Sequence, residues 1–451
     1  MDNKNIITSE KDLIDWFSSN EKLKEEYRIG TEHEKFIFTL DDYKPVPYFG
    51  NKGIKKILDL LKLDTGWSSI VEKDNIIGLK SEDKGSISLE PGGQFELSGA
   101  PLENLHQTCS ETGQHLSELK KTLKKLGLGM AGFGFHPSAT RDDFFWMPKG
   151  RYKIMREYMP KVGDMGLDMM LRTCTIQVNL DFCSELDMIK KFKTSLSLQP
   201  IISALFSNSP FVEGKFSGFL SNRGEVWRNT DQKRCGIPKC IFEEDFGYVK
   251  WINYVLDVPM YFINRNNVYH DVSGSSFRDF LKGKLKGFDR ERPNIKDWED
   301  HLSVVFTDVR LKGYLEMRGA DGGPWNRICA LPAIWVGLLY DNDALLEAEK
   351  LASKFKFNEI LSANYSSSLN GLKGNFGKYN ISDLAKEVIA ISYKGLKNRK
   401  KLDASGNDET SYLLPLIEML NKGETLADEM IRQFNSNWDG SVNASFKDQI
   451  I

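Results

Sequence analysis

Four segments of the chain set polar side chains two residues apart: Glu32 with Glu34, Gln94 with Glu96, Gln177 with Asn179, and Glu316 with Arg318. In an extended strand, residues i and i+2 project to the same face. If the four segments share a sheet, one face carries Glu32, Glu34, Glu96 and Glu316. Glu90 stands at its margin, just before the Pro91-Gly92-Gly93 turn. Carboxylates crowded in this way repel one another unless cations neutralise them. Oxygen donors of this kind suit hard divalent ions, and magnesium shared with substrate phosphates is the common case. Taken singly, each pair also fits a plain solvated strand face; recurrence in four segments favours a site. Lys149 and Arg151 in Met147–Tyr152, and Arg223 and Trp227 in Asn222–Trp227, lie in segments able to close over it. Arginine suits bidentate recognition of carboxylate or phosphate. Carboxylates, a divalent ion and arginines together describe phosphoryl or acyl-phosphate chemistry better than hydrolysis by two acids.

The elements that must position these residues are readable from periodicity. Tyr27–Thr39 alternates as a strand, and strands are expected over Ser69–Lys80, Ser86–Leu97, Leu171–Phe182 and Asp308–Met317. Gln94-Phe95-Glu96-Leu97, taken alone, reads as a solvated edge strand after a turn. A long amphipathic helix is expected from near Leu102 to Gly127, and others over Lys52–Leu63, Gly150–Met159, Leu186–Phe206 and Ile381–Asn398. Gly218–Gly236 reads as an irregular basic loop and Ser366–Lys378 as a solvated stretch. Gly127-Leu128-Gly129-Met130-Ala131-Gly132 matches the dinucleotide-binding Gly-x-Gly-x-x-Gly, but it follows a helix and opens a strand, the reverse of what that fingerprint needs. Strands arrive as hairpins and helices in clusters, which predicts an α+β fold with a largely antiparallel sheet. One catalytic domain over residues 1–451 is expected, with a mostly helical part over 335–451 packed on it.

Composition narrows the class. A formal charge of -2 over 451 residues recommends neither nucleic acid nor an anionic membrane as partner. No apolar run reaches the length of a membrane span. The start, Met1 to Ile7, lacks a secretory core and the arginine-rich character of a transit peptide, so a cytoplasmic protein is expected. The six cysteines form no Cys-x-x-Cys pair, which argues against a zinc site.

Longer matches then carry a resemblance. Ile29–Phe36 (IGTEHEKF), Ser88–Pro101 (SLEPGGQFELSGAP), Met147–Tyr152 (MPKGRY), Gly166–Cys174 (GLDMMLRTC) and Tyr314–Trp325 (YLEMRGADGGPW) resemble the glutamate–cysteine ligases of plants and proteobacteria. The resemblance implies a glutamine-synthetase-like fold, a curved antiparallel sheet whose concave face takes ATP, magnesium and substrates. It also implies ATP-dependent joining of L-glutamate to L-cysteine, with ATP as co-substrate and more than one Mg2+ ion. Metal binding is then expected at Glu32, Glu34, Glu90, Glu96 and Glu316. Arg151, Arg223, Trp227 and Gln94 are expected to hold substrate, and Gln177 and Asn179 the nucleotide. Arg318 and Lys149 would serve the transferring phosphate. Cys109 and Cys329 resemble positions that pair in a redox-sensitive disulfide, in a monomer or a redox-dependent homodimer. The second cysteine pair of the plant members falls here on Val272 and Gly287. A ligase of the same type with another amine acceptor is the alternative.

Overall fold

The computed structural model describes residues 6–449; the N-terminal residues read above for targeting signals fall largely outside them. Nine strands build the central sheet: β1 (Ile29–Thr39), β2 (Ser68–Glu72), β3 (Asn75–Lys80), β4 (Ser86–Leu89), β5 (Phe95–Ser98), β6 (Leu128–Ala131), β7 (Thr175–Leu180), β8 (Val309–Leu311) and β9 (Leu315–Asp321). Their order is β8-β9-β7-β1-β5-β4-β3-β2, with β6 on the far half of β1. Every pairing in the sheet is antiparallel. The expected α+β class holds.

One face of the sheet is apolar. Ile87, Leu89, Phe95, Leu97, Ile176, Val178, Leu180, Leu315 and Met317 are buried there. The Leu105–Leu126 helix and the Trp325–Leu339 helix pack behind them. The first of these starts where Asn104 accepts the Gln107 N–H at 3.0 Å, and it ends at Gly127, whose left-handed backbone favours glycine. Gly127 leads directly into β6, so the glycine-rich run caps a helix and opens a strand.

Six expectations need correction. Ser86–Leu97 is two strands, β4 and β5, separated by the Glu90–Gln94 turn, in which the Gly93 N–H donates to the Glu90 carbonyl at 2.9 Å. β5 lies between β4 and β1, inside the sheet and not at its edge. Leu171–Phe182 divides into the Gly166–Arg172 helix and β7. Asp308–Met317 is a hairpin, with Arg310 paired to Glu316 across it. The basic segment near residue 223 contains a seven-residue helix, Asn222–Arg228. Ser367 and Ser368 are buried within the Phe357–Asn370 helix, so that stretch is not uniformly solvated.

Candidate active site

Register alone assembles the polar face. Glu34 pairs with Glu96 between β1 and β5, and Glu96 pairs with Ser88 on β4. Glu32 pairs with Gln177 on β7, and Glu316 on β9 pairs with Asn179. The sheet therefore brings Glu32, Glu34, Glu96, Gln177, Asn179 and Glu316 onto one surface, as strand parity requires.

The hydrogen bonds divide the carboxylates into two kinds. Glu316 is held by cations. Its Oε2 accepts from Arg310 Nε at 2.6 Å and Arg318 Nη1 at 3.1 Å, and Lys312 Nζ is 3.9 Å from Oε1. Burial works against its ionisation, but Arg310, Lys312 and Arg318 overcome this and hold it well below the usual carboxylate range. The remaining carboxylates lack such partners. Glu32 accepts from Asn179 Nδ2 at 2.7 Å and Gln177 Nε2 at 3.3 Å. Burial and the nearby Glu316 and Glu96 push it up to about 7. Glu34 accepts the Thr175 N–H at 2.9 Å, and burial with Glu90 and Glu96 drives it well above its ordinary value. Glu96 accepts from Ser88 Oγ at 2.8 Å and Ser98 Oγ at 2.9 Å; burial and Glu90 raise it too. Glu90 is half-buried at the margin, 3.4 Å from the Tyr152 hydroxyl.

Three mutually repelling oxygen donors beside Glu90 fit a cation, because a cation would relieve the repulsion that burial intensifies. Among the described residues, no three His, Cys, Asp or Glu side chains converge as a finished metal ligand set. The carboxylates stand side by side along the strands, an arrangement suited to an ion that draws its other ligands from bound phosphate and water.

Gln94 is placed differently from its expected substrate role. It is buried, its Oε1 accepts the Gly92 N–H at 2.9 Å, and its Nε2 donates to the Met170 and Thr173 carbonyls at 3.1 and 2.9 Å. With both ends committed to backbone, it braces the Glu90 turn against the entry to β7. Gln177 is similarly engaged. Its Nε2 reaches Glu32, while its Oε1 accepts from Arg318 Nη1 at 2.6 Å. It spaces an anion from a cation. Asn179 retains a free acceptor, since its buried Oδ1 has no partner.

The basic side chains form the opposite wall. Lys149 immediately precedes the Gly150–Tyr158 helix, near Glu90 and Glu96, and burial lowers its ammonium. Arg151 lies in the first turn of that helix, with its Nε buried and unpartnered. Arg223 and Trp227 sit four apart on the Asn222–Arg228 helix, so they share its face. Arg223 Nη2 donates to the Arg318 carbonyl at 2.9 Å, while Arg223 Nε and Trp227 Nε1 are buried without partners. Glu34, Glu90, Arg151, Arg223, Trp227 and Arg318 all line one small cavity of about 70 Å³. A larger one of about 460 Å³ opens beyond Arg223, Trp227 and Arg318. On the other side, Glu32 and Asn179 border a cavity of about 630 Å³ whose rim carries Lys22, Arg28, Lys80 and Lys84.

Sequence reasoning missed Arg310, Lys312, Ser88 and Ser98. Both serines belong to the Glu96 stretch and share its parity, so the same alternation could have found them. Arg310 becomes visible only once the hairpin is known. Two cysteines, Cys109 and Cys329, lie on the helices behind the sheet. Both are buried and free, and the two thiols lie close enough to influence each other. Burial and this contact raise Cys329 strongly.

The family model described as glutamate–cysteine ligase family 2 matches residues 28–448. The chain belongs to this family. It is 49% identical over 440 residues to glutamate–cysteine ligase B of Oryza sativa subsp. japonica, covering 98% of this chain and 87% of that one. Identity to the Arabidopsis thaliana glutamate–cysteine ligase is 49% over 438 residues, covering 97% and 82%. Both relatives are named as chloroplastic, which overturns the expectation of a cytoplasmic protein. A solved glutamate–cysteine ligase from Francisella tularensis, in complex with AMP, superposes with a TM-score of 0.57 at 13% identity, covering 94% of this chain and 89% of that one. It supports the fold.

Proposed function

We propose that the protein joins the γ-carboxylate of L-glutamate to the amino group of L-cysteine in an ATP-dependent reaction, giving γ-glutamylcysteine, the first step of glutathione biosynthesis. The supporting observation is a face of repelling buried carboxylates opposed by arginines, in a chain of this family. A carboxylate is a poor electrophile. When its oxygen attacks the γ-phosphorus of ATP, ADP departs and the acyl carbon gains a leaving group. The cysteine amine then attacks that carbon, inorganic phosphate leaves, and the amine loses a proton.

Glu32, Glu34, Glu90 and Glu96 would hold Mg2+, more than one ion by their spread along the sheet. Bound there, magnesium supplies charge neutralisation for phosphate and carboxylate. Glu316, expected as a metal ligand, is paired to Arg310 and Arg318, and in that pairing it would fix the Arg318 guanidinium toward the transferring phosphoryl group. Lys149 adds positive charge from the opposite wall. Arg223, Arg151 and the Trp227 Nε1–H present unused donors to the glutamate carboxylates. Asn179 offers its free Oδ1 to the nucleotide side.

The test is phosphate release by the purified protein with ATP, magnesium, L-glutamate and L-cysteine, with the product identified by mass. Release that requires both amino acids and yields γ-glutamylcysteine supports the reading. Equal or faster release with another amine across a panel would replace cysteine as acceptor. The contact between the two thiols supports a redox role: oxidation would join Cys109 to Cys329 and alter turnover. A Cys109→Ser protein would then respond to neither oxidant nor reductant, and a response matching the parent's would remove the idea.

A further inference from the structure

The cavity of about 460 Å³ beyond Arg223 has cationic and aromatic walls and a single carboxylate, Asp308. Asp308 is half-buried and has few partners. Asp308 Oδ2 accepts one neutral donor, Asn364 Nδ2, at 2.9 Å. Among the described residues no Lys, Arg or His nitrogen lies within 4.0 Å of its carboxylate. Arg223, Arg228 and Arg318 surround it at longer range. A half-buried carboxylate with one neutral hydrogen bond and no ion partner within 4.0 Å is open to further donors from a ligand. The backbone nonetheless holds it firmly. Its N–H donates to the Gly236 carbonyl at 2.9 Å, and its carbonyl accepts the Arg318 N–H at 2.9 Å. The residue is thus fixed against Arg318, and among the described residues no hydrogen bond reaches its Oδ1.

We propose that Asp308 receives the α-ammonium group of the substrate glutamate and so makes the site select an α-amino acid over a plain dicarboxylate. The inference rests on the γ-glutamyl ligation proposed above. Glutamate brings two carboxylates and one ammonium. The arginines around this cavity suit the carboxylates, and among its lining residues Asp308 alone has the charge to complement the third group. Three recognised points on one small molecule also fix which carboxylate reaches the carboxylate row, so the γ-group and not the α-group is presented for phosphorylation.

Asp308→Asn tests this with little change of shape, since an asparagine can turn its oxygen to Asn364. The parent and variant are compared in magnesium-ATP and cysteine for two quantities: KM for L-glutamate, and the competitive inhibition constant of glutarate, which lacks the α-amine. The variant should raise KM for glutamate by roughly 10- to 100-fold, the range for losing a hydrogen bond to a charged group. The glutarate constant and the KM for ATP should stay within about twofold. Weakening of both ligands together would overturn the proposal in favour of a structural role, and an unchanged glutamate KM would overturn it outright. Failure of the underlying ligation reading is separately visible, because the parent would then show no glutamate-dependent phosphate release.

Discussion

Glu32 and Glu316 lie on the same face, and burial opposes the charge of both, yet they ionise in opposite directions. Three basic side chains surround Glu316, and mainly amides touch Glu32. Replacing Glu316 by Gln leaves Arg310 and Arg318 as buried cations without their counter-charge. Such a loss costs about 3–5 kcal/mol, read as a lower urea midpoint. Glu32 makes a pH prediction. Its folded pKa, about 7, lies above its unfolded value, so between roughly pH 4.5 and 7 the folded state binds more protons than the unfolded one. Its contribution is therefore fully present at low pH and is lost as pH rises through 7. Thermal melts without divalent ions should show this decline, and Glu32→Gln should flatten it. The pairing of Glu32 with Glu34 was legible because strand parity is a local property. The interleaved His33 and Lys35 obscured it, since polar residues were expected on one face only. Lys35 is buried on the core face with its Nζ 3.1 Å from His115 Nε2, and burial lowers it to about 7. That partner, eighty positions away, leaves no trace in the local pattern.

Elements were legible where their period was long and illegible where tertiary contact defined them. The Leu105–Leu126 helix announces itself through six turns of apolar spacing and a glycine stop. The Asn222–Arg228 helix does not, because it is short and contains Gly224. There a Cβ would stand 2.3 Å from Ser368 Oγ, so the glycine permits close helix contact and does not mark a loop. The β8–β9 hairpin turns at Lys312–Tyr314 without a strong turn dipeptide, and it was read as one strand. The placement of β5 inside the sheet was likewise invisible, since neighbours in space are not neighbours in sequence. Close approach also yields a prediction at Gly85, just before β4. A Cβ there would stand 2.0 Å from the Ser98 carbonyl oxygen. Gly85→Ala must separate β4 from β5, at about 1–3 kcal/mol of stability. Because Ser88 and Ser98 both hold Glu96, the same change should weaken magnesium binding, measured by titration calorimetry.

Across the whole molecule, the carboxylate face is a region where stability has been given up. Removing that repulsion with ligand should therefore be felt globally. Magnesium with ATP at a hundred times its dissociation constant should add about 2.7 kcal/mol, seen as a higher Tm. Either one alone should add less, because the face and the phosphates repel without the ion. On the reading proposed above, most groups meeting the phosphoryl group would lie on the sheet, and those meeting the amino acid would lie off it, on the helix after Lys149 and on the segments around residues 222–237 and 306–308. These two sets meet where Arg223 Nη2 donates to the Arg318 carbonyl. For anyone redesigning the donor substrate, that bond is the seam. The outer segments can be exchanged to suit a different acid while the energy-transducing sheet stays untouched, provided the graft supplies a donor at this one carbonyl.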